Sequence, residues 1–228
     1  MVQALDDVSI SVAPKEIHIV IGPNGSGKTT MIKTVAGLIR PTSGVVTVEE
    51  DDVTKKPVET KSKIGYIPDE PSIWSGMTGA EFLHFTGALF GLDEKSRVDG
   101  IRDLLGLFHL SGIENSYFDD YSRGNKQKFS IMAALLHKPK LLLVDEPIVG
   151  LDPESATIAK EQFRKFAEQV GSILLATHTL PVAEAIATRV SVMKYGTLIS
   201  TGSPAELKNN AKLPASATLE EVYTALTS

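Results

Sequence analysis

Two hydrophobic rhythms alternate along this chain. Short, nearly continuous apolar runs lie between turn-forming residues, and longer stretches carry apolar residues three and four positions apart. The first rhythm predicts strands over Val8 to Val12, Ile17 to Ile21, Gly44 to Val48, Ile64 to Ile67, Leu141 to Val144, Ser172 to Ala176, Val190 to Met193 and Thr197 to Ser200. Leu141-Leu142-Leu143-Val144 contains no polar position, as expected of a strand covered on both faces. Strands alternating with helices predict an α/β domain on a mainly parallel sheet.

Between residues 71 and 130 the rhythm turns helical. Phe82, Phe85, Leu89 and Phe90 recur at helical spacing, as do Ile101, Leu104, Leu105 and Phe108, and both stripes are read as core faces. A segment this long rarely lacks structure of its own, so it predicts a helical subdomain within one domain spanning 1–228. Trp74 lies in the turn-rich run Pro71-Ser72-Ile73-Trp74-Ser75-Gly76, as a buried plug or as an exposed anchor for a partner. In the tail, residues 203–228, Leu219, Val222, Tyr223 and Leu226 form a stripe that predicts packing back on the domain.

Composition narrows the class. Hydrophobic content of 42% and charged content of 22% describe an ordinary globular domain. A net charge of −5 argues against a general nucleic-acid binder, which would present a basic face. The absence of cysteine excludes disulfides, thiol catalysis and cysteine metal sites, and fits a reducing compartment. Met1 to Asp7 has neither a basic nor an apolar signal region, and no stretch approaches the ~20 apolar residues that cross a bilayer. The expectation is no secretory signal, with any membrane crossing left to another subunit.

The chemistry begins at Gly22-Pro23-Asn24-Gly25-Ser26-Gly27-Lys28-Thr29, a complete G-x-x-x-x-G-K-[ST] phosphate-binding loop between a predicted strand and a helix that starts near Thr30. Glycine lets the backbone bend and lie against phosphate oxygens, free amides and the helix dipole favour a polyanion, and Lys28 adds a mobile charge. Thr29 offers a hydroxyl for Mg²⁺. Such a loop points to a nucleoside triphosphate.

The run Leu141 to Val144 ends in Asp145 and Glu146. Ligand crevices form at the carboxyl ends of parallel strands, so Asp145 is the metal-side candidate and Glu146 the candidate to polarise a water for attack on the γ-phosphate. His178, just past Ser172 to Ala176, should reach the same edge and bond the γ-phosphate or the water. His18, His84, His109 and His137 have no such setting. Tyr121-Ser122-Arg123-Gly124-Asn125-Lys126-Gln127 opens a helix: Ser122 suits an N-cap, and Gly124 leaves amides exposed for an anion. On that segment alone a structural cap is the simpler reading.

In order, these pieces resemble the ATP-binding subunit of ABC transporters. Gly22 to Thr30 matches the family's first phosphate motif, Leu141 to Glu146 its acidic strand, and Gly150-Leu151-Asp152-Pro153 its D-loop. Thr177-His178 looks like its switch histidine, and Tyr121 to Gln127 sits where its signature belongs. The resemblance implies a P-loop NTPase with a RecA-like core, a helical subdomain and a small antiparallel β portion. It implies ATP and Mg²⁺, hydrolysis coupled to transport, and head-to-tail pairing with a second such subunit, homo- or heteromeric. Ser122 and Gly124 would then cap the γ-phosphate bound by the partner chain. It further implies an integral membrane permease received near Pro71 to Met77, no nucleic acid, a cytoplasmic position on the inner face of the membrane, and, from Ile64 to Pro71 and the short tail, an export-type system. Two other readings are a soluble ABC-type ATPase in assembly or repair and a degenerate nucleotide-binding regulator.

Three positions depart from the family. Asp69 replaces the glutamine after Ile64 to Ile67, as a shorter, charged metal candidate beside Thr29 and Asp145. Arg123 replaces the first of two signature glycines. No aromatic lies in Met1 to Ile21, where the family stacks a ring on adenine, and the expectation is that the chain begins just after it. Such a stack is worth ~1–3 kcal/mol, roughly ten- to a hundredfold in affinity.

Overall fold

The computed structural model describes residues 3–71, 76–148 and 150–227. Strand β1 (Ile17–Ile21) runs through the glycine loop into α1 (Lys28–Val35). A two-residue ribbon, β2 (Thr47–Val48) against β3 (Asp51–Asp52), precedes α2 (Pro57–Ser62) and β4 (Ile64–Ile67). Three helices follow: α3 (Gly79–Leu89), α4 (Glu94–Leu107) and, after the single turn Phe118–Asp120, α5 (Arg123–Leu136). The chain returns through β5 (Leu141–Asp145), α6 (Pro153–Gln169), β6 (Ser172–Thr177), α7 (Leu180–Ile186), β7 (Arg189–Lys194) and β8 (Thr197–Gly202), and ends in α8 (Pro204–Asn210) and α9 (Leu219–Thr227).

The main sheet has the order β4-β5-β6-β1-β7-β8. All neighbours pair in parallel except β7 with β8. This is the α/β, mainly parallel architecture of a P-loop NTPase, with small antiparallel parts at β2–β3 and β8. Every residue of β1 is buried, because helices cover both sheet faces. Register then does the functional work. Ile21 lies beside Thr177, and Asp145 beside Ala176, so the next residues of β1, β5 and β6 emerge at one edge.

The region between β4 and β5 is helical as expected, but one stripe is turned. On α3 the buried positions are Gly79, Leu83 and Gly87, whereas Phe85 and Leu89 are 42% and 71% exposed. Close approach explains this: Gly79 lies directly on the Phe129 ring, and a Cβ at Gly87 would stand 2.9 Å from Arg97. Phe85 and Leu89 therefore face away from the core, while Leu83 is buried, Phe82 packs beside it and Phe90 stacks on His137. The second stripe holds, with Ile101, Leu105 and Phe108 buried and Leu104 packed beside them. Phe118, Tyr121 and Phe129 make an aromatic knot, Tyr121 stacked on Phe129 at 4.9 Å, and this core is continuous with that of the sheet.

Val8 to Val12 is not a strand. Its apolar residues do alternate inward, with Val8, Ile10 and Val12 packed against a cluster that includes Val20, Met31, Ile32 and Met193, but both edges of β1 are already taken by β6 and β7. The segment is held instead through its Ser11 carbonyl, which accepts from Nδ1 of the buried His18 at 3.0 Å. The expected strand Gly44 to Val48 shrinks to two residues, since Gly44 has φ +86° and Val45 is exposed. Leu219 and Val222 of the tail are buried, with Tyr223 and Leu226 packed beside them. Trp74 lies outside the described residues.

Candidate functional site

The glycine loop is positioned by both of its ends. Gly22 leaves β1 against the carbonyl of Met193 on β7, with no room for a Cβ, and Gly27 enters α1 at φ +108°, a left-handed conformation that side chains avoid. Ser26 accepts from the Gly196 amide at 2.9 Å through its own carbonyl. Its hydroxyl is buried without a protein partner. Lys28 is buried, and its Nζ donates to the carbonyls of Gly22 at 2.8 Å and Pro23 at 3.1 Å. Burial pushes its pKa down, while Glu146 and Asp145 oppose that shift. Pro23, Asn24, Gly25 and Thr29 are exposed, and Thr30 is half-buried. An exposed rim over a buried cation and an unsatisfied hydroxyl is a cradle for an anion.

Asp145 ends β5 and is buried, with Oδ1 accepting from the Thr29 hydroxyl at 3.2 Å. Burial raises its pKa, the Thr29 bond opposes this, and Asp69 and Glu146 raise it further. Lys33 acts the other way, as the weakest of these influences. Asp145 and the Thr29 hydroxyl offer only oxygen, which suits Mg²⁺. Among the described residues no three His, Asp or Glu converge on a metal, so the phosphates of a nucleotide would supply further ligands.

Glu146 is buried and left-handed, at φ 49°. Its amide donates to the Ala176 carbonyl at 2.9 Å, extending the ladder one residue past β5. Its Oε2 accepts from the Thr177 hydroxyl at 2.7 Å, and its Oε1 accepts from the His178 amide at 2.8 Å. Nδ1 of His178 lies 2.7 Å from the same Oε1. A carboxylate oxygen accepts, so Nδ1 carries the proton and donates to it, and Nε2 is the ring nitrogen left for another partner. Two parallel strands thus bring Glu146 and His178 together.

The other histidines have structural partners. His18 sits between Ser11 and Ser191, His137 bonds the Ile64 carbonyl and stacks on Phe90, His84 accepts from Arg97, and His109 faces Glu154.

Ser122 caps α5, its hydroxyl accepting from the Asn125 amide at 3.2 Å. Gly124 has a second reason to be glycine: a Cβ there would stand 2.8 Å from the Gly150 carbonyl oxygen. Asp152 caps α6 through the Ser155 amide at 2.9 Å and faces Lys128 of α5 at 3.5 Å. Asp69 lies 3.6 Å from Arg123. Lys128 was not singled out from sequence, and Gly150 and Thr177 entered only as members of the D-loop and switch runs, without these contacts. Thr177 carried a signal, the residue before His178 on a buried strand, whereas Gly150 and Lys128 are defined by contacts between distant segments.

A profile described as ABC transporter matches residues 5–149, more than half of the chain. The ABC transporter ATP-binding protein NatA of Bacillus subtilis (strain 168) is 34% identical over 204 residues, covering 89% of this chain and 83% of that protein. The methionine import ATP-binding protein MetN of Corynebacterium efficiens is also 34% identical, over 91% of this chain and 59% of its own length. A solved ATP-binding subunit of an ABC transporter superposes with a TM-score of 0.94 at 31% identity, over 99% of this chain and 93% of that one.

Proposed function

The chain belongs to the ABC transporter family as an ATP-hydrolysing subunit that powers a membrane transporter, and from that premise we propose how its residues divide the work. The amides of Gly22 to Thr30 hold the phosphates of ATP, and Lys28 exchanges the carbonyls of Gly22 and Pro23 for phosphate oxygens. Thr29 and Asp145 hold Mg²⁺, which when bound neutralises charge on the β- and γ-phosphates. Asp69 stands near enough to perturb Asp145 electrostatically. Glu146 accepts a proton from the attacking water, and His178 fixes the Glu146 carboxylate and offers Nε2 to the same water.

The observation that carries this reading is the Glu146 carboxylate. It is buried one residue past Asp145 and held by Thr177 and His178, at the strand edge where the phosphate loop begins. General-base help of this type is worth ~10²–10⁴-fold in rate. The intact set Lys28, Thr29, Asp145 and Glu146 favours an active hydrolase over a degenerate regulator.

Two such subunits close head to tail, each presenting Ser122 and Gly124 to the triphosphate held by the other. Two-fold symmetry makes both interfaces equivalent. No helix among the described residues is long and apolar enough to cross a membrane. A permease partner supplies the crossing and receives the motion on the cytoplasmic side. We read the system as export-type from Ile64 to Pro71 and the short tail; MetN, named for import, is as identical to this chain as NatA, at 34%, over a smaller share of its own length.

The test is sedimentation of Glu146→Gln with ATP. A dimer that retains two unhydrolysed nucleotides is expected. Normal hydrolysis by the variant would remove Glu146 from its role, and a monomer at saturating ATP would remove the head-to-tail pairing.

A further inference from the structure

Two residues that depart from the family pattern stand against each other. Arg123 is the first residue of α5, and its Nη2 lies 3.6 Å from Oδ1 of Asp69, in the loop after β4. The Arg123 side chain also rests on Gly150, where an added Cβ would meet its Cδ at 3.3 Å. One turn further on, the buried Gln127 donates from Nε2 to the Pro68 carbonyl at 3.5 Å. The first two turns of α5 are therefore tied to positions 69 and 68. Where two neutral residues are usual, this chain has an opposed pair of charges. One member sits at the edge that would meet a second copy, and the other is near enough to Asp145 to raise its pKa.

The pair is half exposed, at 55% for Arg123 and 48% for Asp69, and exposed pairs of this kind are weak. Arg123 is held loosely enough to leave. A triphosphate carries more charge than one carboxylate and accepts a guanidinium in bidentate fashion. We propose that Arg123 is a partner-exchanging cation, held on Asp69 and Gly150 in the separate chain and transferred to the triphosphate of a second copy when the two close. The exchange rests on the head-to-tail reading above. Asp69 then sets the threshold: whatever holds Arg123 in the open chain must be given up on closure, so the pair biases an equilibrium between two states.

The experiment uses the full chain carrying Glu146→Gln, with ATP and EDTA, so that metal binding by Asp69 plays no part. Sedimentation reads the ATP concentration at which half the protein is dimeric. Arg123→Ala should raise that concentration about tenfold, the loss of one charge-assisted contact. Asp69→Asn should lower it, and should have no effect once Arg123 is alanine. The exchange is overturned if Arg123→Ala dimerises like its parent. It is equally overturned if Asp69→Asn acts to the same extent with and without Arg123, because Asp69 would then act on the nucleotide directly. A parent that stays monomeric at saturating ATP overturns the head-to-tail reading and the exchange together.

Discussion

Glu146 holds a left-handed backbone conformation, φ 49°, and its Oε1 lies 2.7 Å from Nδ1 of His178. A non-glycine residue there costs about 1–2 kcal/mol, and the surroundings hold it in place. The Ala176 carbonyl fixes its amide, and Thr177 and His178 occupy both carboxylate oxygens.

Because the same carboxylate anchors His178 and faces the phosphate loop, its two functions separate by mutation. Glu146→Gln keeps the shape and should lower phosphate release ~10²–10⁴-fold while leaving nucleotide binding intact. His178→Ala should lower the rate less, since Thr177 and the His178 amide still hold Glu146. Phosphate release and nucleotide retention, measured on both variants, check the order.

Thr29 and Asp145 offer oxygen ligands at the carboxyl end of β5. Asp145→Asn removes a charged contact worth ~1.5–3 kcal/mol, so the Mg²⁺ needed for half-maximal hydrolysis should rise roughly ten- to a hundredfold. Asp69→Gln should also shift that titration, because its carboxylate raises the pKa of Asp145. An unchanged Mg²⁺ curve for Asp69→Gln would separate Asp69 from the metal-side group.

The turned stripe of α3 is testable by stability alone. Leu83 is fully buried and Leu89 is 71% exposed. Leu83→Ala should cost ~2–5 kcal/mol in urea denaturation, and Leu89→Ala no more than ~0.5 kcal/mol. Equal losses would return Leu89 to the core.

Acid should weaken the fold through two histidines. His18 and His137 are buried, and burial lowers both pKa values below 6.5. The unfolded chain therefore takes up protons first as pH falls. The stabilisation is complete above about 6.5 and is lost as pH drops through the folded values. Urea midpoints should fall between pH 7.5 and pH 5.5, and His18→Gln should flatten that slope. A midpoint independent of pH in this window would contradict the buried neutral rings.

Much of this molecule was written in local order. A glycine loop after an apolar strand, two acids after another and a histidine after a third each carry their chemistry within a few residues. Parallel strands deliver their carboxyl ends to one edge, so Lys28, Asp145, Glu146 and His178 could be grouped before any coordinates. The periodicity also announced α4 and the tail. What it could not supply depends on which neighbour fills each side of an element. Val8 to Val12 alternates like a strand, but β6 and β7 already occupy both edges of β1. Phe85 and Leu89 are apolar yet lie outside, because α3 packs through the face of Gly79, Leu83 and Gly87, where the glycines let α4 and α5 come close. The ion pair of Arg123 with Asp69 and the contact of Gly124 with Gly150 join segments far apart in the chain, and such distances are set by packing, which no local pattern encodes.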